Sequence, residues 1–356
     1  MPGPLLIGIE GAELDAPTRA VLRQPAVGGV VLFPRNYRSP AQLRALTAEI
    51  RTLRDPPLLI AVDQEGGPVQ RFRDGFTRLP PPAWLGSAYD LDPGEGRRLA
   101  RQAGWLMATE LRVCGVDLSF APVLDLDRGV SGVIGARALH SDPAVVAHLG
   151  QAWVDGMRRG GMAAVGKHYP GHGGVAADSH LAQPVDPRPL AELARSDLVP
   201  FQRLVARGLH GVMAAHVAYP EVDSRPAGFS QRWVRAILRH RLGFRGAVLS
   251  DDLGMQGAAA AGTVAQRVSA ALEAGCDAAL VCDPALAEEA VAAAVPWTGP
   301  GRALRLARLH GQPAPGRQQA LEASPAYQSA VRELTEGVPG LRGARLRYTG
   351  SRSGGQ

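Results

Sequence analysis

The side chains best suited to catalysis are concentrated in one glycine-rich segment, KHYPGHGGVAADSH (167–180). This segment ends with Asp178 and His180, two residues apart. In an extended chain, residues two apart point in the same direction, so the carboxylate can hold one ring nitrogen of the histidine. That contact fixes the tautomer and raises the basicity of the other nitrogen. The spacing therefore predicts a general acid/base formed by this pair.

Three histidines so close together also suggest a metal site, with His168 and His172 as further ligands. However, Pro170 and the neighbouring glycines break the helix that would align ligands four residues apart. The end of the first apolar run also lacks the His-x-His pair that metal-dependent amidohydrolase barrels use. We therefore expect neither a bound metal nor a cofactor.

A second candidate group is the acidic pair in AVLSDDLGM (247–255), at the end of an apolar run. Successive side chains of a strand point to opposite faces, so we expect only one of Asp251 and Asp252 to face a site. The one that faces the site can act as a nucleophile, and the other can accept structural hydrogen bonds. Either aspartate could instead cap the following helix.

Further charged side chains lie in AVDQEGGPVQRFRDGFTRLPP (61–81) and GVIGARALHSD (132–142). The first segment contains Asp63, Glu65 and Arg71, and the second contains Arg137. Carboxylates bind vicinal hydroxyls, and cations bind hydroxyl or carbonyl oxygens, whereas a phosphate site would contain fewer acids. The mixture predicts a cavity for a polyhydroxylated ligand.

Among the 39 basic residues of the chain, Lys167 is the only lysine. Alanine, glycine, arginine and proline are abundant, so arginine has replaced lysine wherever charge alone suffices. A retained lysine indicates a position where a compact ammonium fits and a planar guanidinium does not, although chance is the alternative explanation.

These residues need a framework, and the hydrophobic pattern indicates one. Eight short apolar runs alternate with segments whose apolar residues recur every three or four positions, which is typical of buried parallel strands between helices. Eight such units predict a single (β/α)₈ barrel, with an open doubly wound sheet as the alternative. The chain lacks GxGxxG after the first run and has no GxxxxGK[ST] motif, so nucleotide-binding versions lack their signature. The predicted strands are 5–10, 29–34, 58–63, 116–126, 163–168, 211–216, 247–252 and 278–283.

The predicted helices follow the same alternation, and polar groups end every strand. In a barrel these ends meet at one rim, where active sites lie. Two long connections, 64–92 and 169–187, are rich in glycine and proline, and we expect functional loops without helices there. The predicted helical segments are 13–24, 40–54, 93–113, 143–160, 188–207, 231–241 and 262–275, with closing helices in 284–336. The polar ends are Glu10, Arg35, Asn36, Asp63, Asp125, Lys167, His168, His216, Asp251, Asp252 and Asp283.

Composition excludes several other classes of protein. No apolar run approaches the roughly 18–20 residues that span a bilayer. The three cysteines form no CxxC pair, which indicates a reducing compartment. The net charge of +6 includes four arginines in 337–356, so the rest of the chain is nearly balanced and a nucleic-acid partner is not expected.

We expect a catalytic barrel over 1–336 and a basic, disordered tail over 337–356. The N-terminal segment has no basic region typical of a secretory signal, so we expect a cytoplasmic protein without a membrane partner, and a monomer.

Taken together, LFPRNY, VDQEGGPVQRFRDGFTRLP, KHYPGHGGVAADSH and SDDLGM resemble glycoside hydrolase family 3. Within that family they are most similar to the cytoplasmic bacterial β-N-acetylglucosaminidases of peptidoglycan recycling. The resemblance extends from about residue 4 to about residue 330 and implies a single (β/α)₈ barrel. It also implies a retaining hydrolase that releases terminal GlcNAc from GlcNAc-1,6-anhydro-MurNAc, with or without its peptide. A muropeptide fragment would then be the carbohydrate substrate.

The resemblance assigns roles to individual positions. Asp251 matches the nucleophile, His180 the acid/base and Asp178 its partner. The sugar-binding positions match Asp63, Arg71, Arg137, Lys167 and His168. Three positions depart from the common pattern, namely Pro68, Ala136 and Gly174, but every matched catalytic and sugar-contact position is intact. The competing hypotheses are another family 3 exo-glycosidase, a metal-dependent hydrolase on a barrel and a non-catalytic sugar-binding barrel.

Overall fold

The computed structural model describes residues 2–177, 183–313 and 318–337 of the 356-residue chain. Asp178 and His180, the predicted acid/base pair, therefore lie outside the described residues, as does the tail beyond Gly337.

Eight parallel strands form a closed barrel in which each strand pairs with its neighbours in chain order, and the last pairs with the first. Representative registers are Leu6 opposite Gly29, Val30 opposite Ile60, and Leu6 opposite Leu280. The prediction of a (β/α)₈ barrel is confirmed, and the open sheet is excluded. The strands are β1 Leu5–Gly8, β2 Val27–Leu32, β3 Leu59–Val62, β4 Leu118–Ser119, β5 Ala163–Tyr169, β6 Gly211–Ala214, β7 Ala247–Asp252 and β8 Ala278–Val281.

Helices surround the barrel. None of the helices in the described ranges is both long and apolar enough to cross a lipid bilayer. The α-helices are α1 Ala16–Leu22, α2 Pro40–Thr52, α3 Pro82–Leu91, α4 Pro93–Val113, α5 Pro143–Arg159, α6 Leu190–Leu193, α7 Leu198–Ala206, α8 Val264–Ala274, α9 Ala287–Ala294, α10 Pro300–Ala307, α11 Gln318–Glu322 and α12 Pro325–Glu336. A π-helix, Arg232–Arg241, lies between β6 and β7.

Several of these helices begin where a capping side chain precedes a proline. Ser39 accepts a hydrogen bond from the backbone N–H of Gln42, and Asp92 and Asp142 cap α4 and α5 in the same way. In each case proline occupies the first turn, where its missing N–H costs no intrahelical hydrogen bond. These local signals fix the starts of the helices that cover the barrel.

Alternation along the strands separates two apolar layers. Side chains such as Leu6, Val31 and Leu249 point inward and form a cluster inside the barrel. Their chain neighbours, such as Ile7 and Val30, point outward and pack against the helices. The inner cluster also contains Leu306 and Leu309, which come from α10 and the residues after it. The barrel is therefore a packed core, and space for a ligand opens only beyond the strand ends.

The structure corrects the expectation that the connection 64–92 has no helix. This connection contains α3, Pro82–Leu91, and a short hairpin, in which Gln64–Gly66 pairs with Val69–Gln70. Leu85 and Ala88 are buried on the inner face of α3. A run of prolines precedes α3, and such a run is typical of a loop. Proline is nevertheless compatible with the first turn of a helix, which is why the prediction was wrong here. In the other long connection, the described residues 170–177 and 183–187 contain no helix.

Two further boundaries differ from the prediction. The fourth strand is limited to Leu118–Ser119, because Pro122 has no N–H to donate to a neighbouring strand. The chain stays close to β5 nevertheless, since the N–H of Leu124 donates to the carbonyl of Lys167. The predicted helix 188–207 is divided into α6 and α7.

Candidate active site

A cavity of about 710 Å³ opens at the carboxyl ends of the barrel strands. The strand ends that the sequence analysis singled out supply much of its wall. Six of the eight predicted site residues line this cavity, and the other two, Asp178 and His180, lie outside the described residues. The six are Asp63, Arg71, Arg137, Lys167, His168 and Asp251.

A chain of ion pairs holds the cationic side chains of the cavity in place. The Nζ atom of Lys167 lies 2.6 Å from Asp63 Oδ1 and 2.6 Å from Glu65 Oε1. Glu65 also accepts two hydrogen bonds from Arg137, at 2.8 and 2.9 Å. At the other end of the chain, Arg71 Nη2 lies 3.4 Å from Asp63 Oδ2. Each cation is therefore matched by a carboxylate, and each carboxylate by at least one cation.

Burial makes this network sensitive to the loss of any member. The side chains of Lys167 and Glu65 are 3% and 1% exposed. Burial raises the pKa of Glu65, but Lys167 and Arg137 outweigh that effect and hold it at about 2. Burial lowers the pKa of Lys167, while Asp63 and Glu65 raise it by more, so the ammonium stays charged. Removing one partner would leave a buried charge without compensation, which is strongly destabilising.

His168 is oriented by a carboxylate behind it. Its Nδ1 lies 2.6 Å from Asp125 Oδ2, and Asp125 also accepts the backbone N–H groups of His168 and His172. With the Nδ1 proton directed at Asp125, Nε2 is left to interact with a ligand in the cavity. Lys167 and His168 are consecutive, yet both line the cavity, and the peptide bond between them is cis.

Asp251 lies at the end of β7 in a position suited to a nucleophile. Its Oδ1 accepts the backbone N–H of Asp252 at 2.8 Å. Burial raises the pKa of Asp251, but His168 and His216 outweigh this, and the pKa remains below its ordinary value. The carboxylate is therefore ionised at neutral pH.

Asp252 corrects part of the sequence prediction, because it lines the cavity as well and is not turned away from it. The difference between the two aspartates lies in their hydrogen bonds. Asp252 Oδ1 accepts the N–H groups of Gly254 and Cys282, both at 3.0 Å. Burial raises the pKa of Asp252. These contacts give Asp252 the structural acceptor role that the alternation argument predicted for one member of the pair.

The other polar strand ends have mainly structural roles. Asn36 is fully buried and donates to the carbonyls of Ile9 and Gly11, which ties β1 and β2 together. Asp283 caps the short helix that follows β8, and Glu10 is exposed. Sequence reasoning missed the roles of Glu65 and Asp125, which hold sugar-site candidates in position. Their acidic type at strand ends was visible in the sequence, but their partners were not.

Within residues 2–177, 183–313 and 318–337, no group of three or more His, Cys, Asp or Glu side chains is placed to hold a metal ion. What the described site offers is an ionised carboxylate beside a cavity rich in hydrogen-bonding groups. Such an arrangement can bind a polyhydroxylated ligand and attack an electrophilic carbon.

Comparison with known proteins identifies the family. The model of the glycosyl hydrolase family 3 N-terminal domain matches residues 6–298. A β-hexosaminidase from Alkalilimnicola ehrlichii is 55% identical over 341 residues, which cover 96% of this chain and 98% of that protein. A β-hexosaminidase from Thiobacillus denitrificans is 57% identical over 335 residues, or 93% of each chain.

A solved structure is similar over nearly the same length. NagZ from Neisseria gonorrhoeae in complex with N-trifluoroacetyl-D-glucosamine is 44% identical and superposes with a TM-score of 0.88. The match covers 94% of this chain and 97% of that one. The family model, the full-length relatives and the barrel agree, and the chain belongs to glycoside hydrolase family 3.

Proposed function

We propose that this chain is a retaining exo-β-N-acetylglucosaminidase that forms a covalent glycosyl-enzyme on Asp251. The observation that carries the proposal is an ionised aspartate at the wall of a cavity lined by Asp63, Lys167 and His168. Relatives that share more than half of their residues with this chain are β-hexosaminidases. A structurally similar NagZ binds an N-acylated glucosamine.

Substrate binding follows from the network of paired charges. Asp63 and Lys167 present an acceptor and a donor side by side, which suits neighbouring hydroxyls of a sugar ring. Arg71 and the Nε2 atom of His168 add further polar groups around the same cavity. Glu65 and Asp125 position these groups from behind. Because each of these cations already has a carboxylate partner, an uncharged sugar can bind without adding an unpaired charge.

The reaction then proceeds in two displacements. Asp251 attacks the anomeric carbon, and the glycosidic bond breaks as His180 donates a proton to the departing oxygen. His180 next removes a proton from water, the water oxygen attacks the anomeric carbon, and the aspartate is released. Two inversions leave the β configuration unchanged. Asp178 orients the imidazole in both steps, and this dyad rests on the sequence pattern of 167–180.

The proposed substrate is GlcNAc-1,6-anhydro-MurNAc, with or without its peptide, in the cytoplasmic recycling of cell-wall fragments. The family relatives and the single-barrel architecture support this assignment. We propose a monomer that acts on a small carbohydrate, without a cofactor, a nucleic acid or a membrane as partner.

The covalent step is tested by trapping it. Turnover of a GlcNAc aryl glycoside should be abolished by Asp251→Asn, with a loss of at least about a thousandfold in kcat, because a neutral amide cannot form the intermediate. Mass spectrometry after reaction with a slow fluorinated GlcNAc donor should find the sugar on the peptide that contains Asp251. Asp252→Asn is the matched control, since its amide oxygen can still accept the N–H groups of Gly254 and Cys282. An adduct on another residue would overturn the assignment.

The acid/base role of His180 is tested by varying the leaving group. A general acid matters most for a poor leaving group such as a sugar alcohol, and little for a nitrophenolate that departs unprotonated. His180→Ala should therefore slow cleavage of the disaccharide far more than cleavage of a nitrophenyl glycoside, and Asp178→Ala should show a milder version of the same pattern. Azide should restore turnover of the activated substrate. Equal losses with both leaving groups, without azide rescue, would show that His180 acts elsewhere.

A further inference from the structure

A second cleft, of about 490 Å³, lies on the outer surface of the barrel between helices α4, α5 and α7. Arginine side chains come to it from two sides. Arg97 and Arg101 belong to α4, while Arg203 lies in α7 and Arg207 directly after it. We refer to the space lined by these four residues as the arginine cleft.

Small residues and close helix packing create the cleft and keep its walls fixed. Ala147 and Ala152 of α5 are buried among its lining residues. A β-carbon at Gly156 would come within 2.0 Å of the carbonyl oxygen of Arg101, and one at Gly104 within 2.3 Å of the Trp153 carbonyl. The backbones of α4 and α5 therefore touch, and the arginines that extend from α4 are anchored on a rigid platform.

The four arginines have no counter-ion within the described part of the chain. None of them lies within 4 Å of a carboxylate there, and Arg97 uses one N–H for the carbonyl of Pro93. The one acidic residue that lines the cleft, Asp155, accepts a hydrogen bond from Gln151 at 2.8 Å and lies 3.9 Å from Arg158. Four guanidinium groups therefore border one space that contains a single carboxylate, and that carboxylate already accepts a hydrogen bond from Gln151.

His148, which also lines the cleft, is affected by the same positive charges. Partial burial lowers the pKa of His148, and Arg203, Arg97 and Arg207 lower it further, against an opposing effect of Asp142. Three of the cations thus act on the same point.

We propose that the arginine cleft binds a small oligophosphate, a molecule with two or more linked phosphate groups. A guanidinium donates two parallel hydrogen bonds to a phosphate, so four of them suit several negatively charged groups in a row. The volume lies in the range of small-molecule sites, and the cleft is confined between three helices. This geometry favours a small ligand over an extended polyanion. The site is separate from the proposed active site and does not depend on the proposed function.

The test uses inorganic triphosphate as the probe and the full chain, titrated by calorimetry at about 50 mM salt, where screening is modest. The wild type should bind one equivalent saturably. The double variant Arg101→Ala/Arg203→Ala should weaken binding about tenfold or more, a loss of about 1.4 kcal/mol in total, since it removes two charge-assisted contacts. Arg97→Gln/Arg207→Gln provides a second pair with the same charge change, in case the first variant does not fold.

The matched control is Arg232→Ala/Arg245→Ala, two exposed arginines outside the cleft. It removes the same charge and should change triphosphate affinity less than twofold if contacts in the cleft carry the binding. Equal weakening by the cleft and control variants would show general electrostatic attraction and overturn the proposal. Affinity unchanged by either cleft variant would place the ligand elsewhere and also overturn it.

Two comparisons distinguish the sources of such a ligand. If ATP binds more tightly than triphosphate and His148→Ala removes the advantage, the ligand is a nucleotide whose base contacts the ring; equal affinities indicate an inorganic oligophosphate. No saturable binding of pyrophosphate, triphosphate or ATP up to about 1 mM, which corresponds to only about 4 kcal/mol, contradicts the proposal. A single-stranded oligonucleotide that binds more tightly than triphosphate would instead show a nucleic-acid surface and overturn it.

Discussion

The active-site cavity and the arginine cleft both contain several cations, but they differ in whether those cations are paired with carboxylates. In the cavity, Lys167 contacts two carboxylates, and Arg137 shares one of them. In the cleft, Arg101 and Arg203 have no carboxylate partner within the described residues. The cavity is therefore suited to an uncharged sugar ring, and the cleft to an anion.

The difference originates in the elements that carry the side chains. Strand ends at a barrel rim converge, so acidic and basic residues placed there meet and are desolvated together. On the outer faces of the surface helices, long arginine side chains extend into solvent and remain hydrated unless a ligand contacts them. Arginines line both regions, so what distinguishes their ligands is whether those arginines are paired with carboxylates.

Glu65→Gln should have the largest effect on the cavity, because it removes the carboxylate that Lys167 and Arg137 share. We expect kcat/KM to fall by about a hundredfold or more, roughly 2.7 kcal/mol, because Lys167 and Arg137 lose the carboxylate that positions them. The variant cavity should also gain inhibition by phosphate, because Arg137 then loses the carboxylate with which it pairs. Steady-state kinetics with and without phosphate measure both effects.

The matched control is Glu13→Gln, which removes a carboxylate that pairs with Arg38 while both side chains are mostly exposed. Exposed pairs contribute about 0–1 kcal/mol, so kcat/KM should stay within twofold. If Glu65→Gln behaved like this control, the paired network would not be what holds the substrate-binding groups in position.

The low pKa of Glu65 should also make the stability of the protein depend on pH. The pKa of Glu65 is about 2 in the folded protein, compared with an ordinary value of 4.5. Its contribution to the free energy of unfolding is therefore fully present above about pH 5 and is lost as the pH falls toward 2. The difference in unfolding free energy between the wild type and Glu65→Gln should shrink between about pH 5 and pH 3 in denaturant titrations. A constant difference across this range would show that Glu65 is not ionised in the folded state.

Lys167→Arg tests whether the cavity requires a compact ammonium, because it changes the shape of the cation without changing the net charge. The ammonium fits between Asp63 and Glu65 at 2.6 Å from each, and a larger planar guanidinium must displace the wall or the sugar. We expect kcat/KM to decrease by about tenfold, or 1.4 kcal/mol. Arg78→Lys, at an exposed pair with Asp74, is the control and should have no effect. An unchanged kcat/KM would mean that the presence of a single lysine in the chain is due to chance.

Much of the barrel could be predicted because its signals are local. Each apolar run marks a strand, and the polar residue that ends it marks the rim, which placed Asp63, Lys167 and Asp251 around one cavity. Helix α3 was missed because the prolines before it resemble a loop more than a first turn. The error was local as well, and it left the position of the site unchanged.

The support behind the site could not be predicted, because it consists of long-range pairs. Glu65 and Arg137 are 72 positions apart, and nothing in either segment specifies the other. Asp125 and His168 are 43 positions apart: His168 lies in β5, and Asp125 lies six residues after the end of β4. Sequence patterns specify which side chains reach the rim, whereas their pairing depends on the stagger of the strands and on loop conformation.

Deleting the tail, residues 337–356, should have the smallest effect of all these changes. The deletion tests whether the arginines of the tail contribute to the cavity or to the cleft. The four arginines of the tail lie in a segment rich in glycine and serine, which cannot bury a core. A chain that ends at Glu336 should keep its Tm and its kcat/KM within about twofold. The matched control ends at Ser324 and removes α12, whose Tyr327 donates to Glu110 at 2.7 Å and whose Leu334 is buried. This control should lose several degrees of Tm, since it exposes apolar surface and leaves a buried carboxylate short of one donor. A similar loss on removing only 337–356 would mean that the tail docks on the barrel.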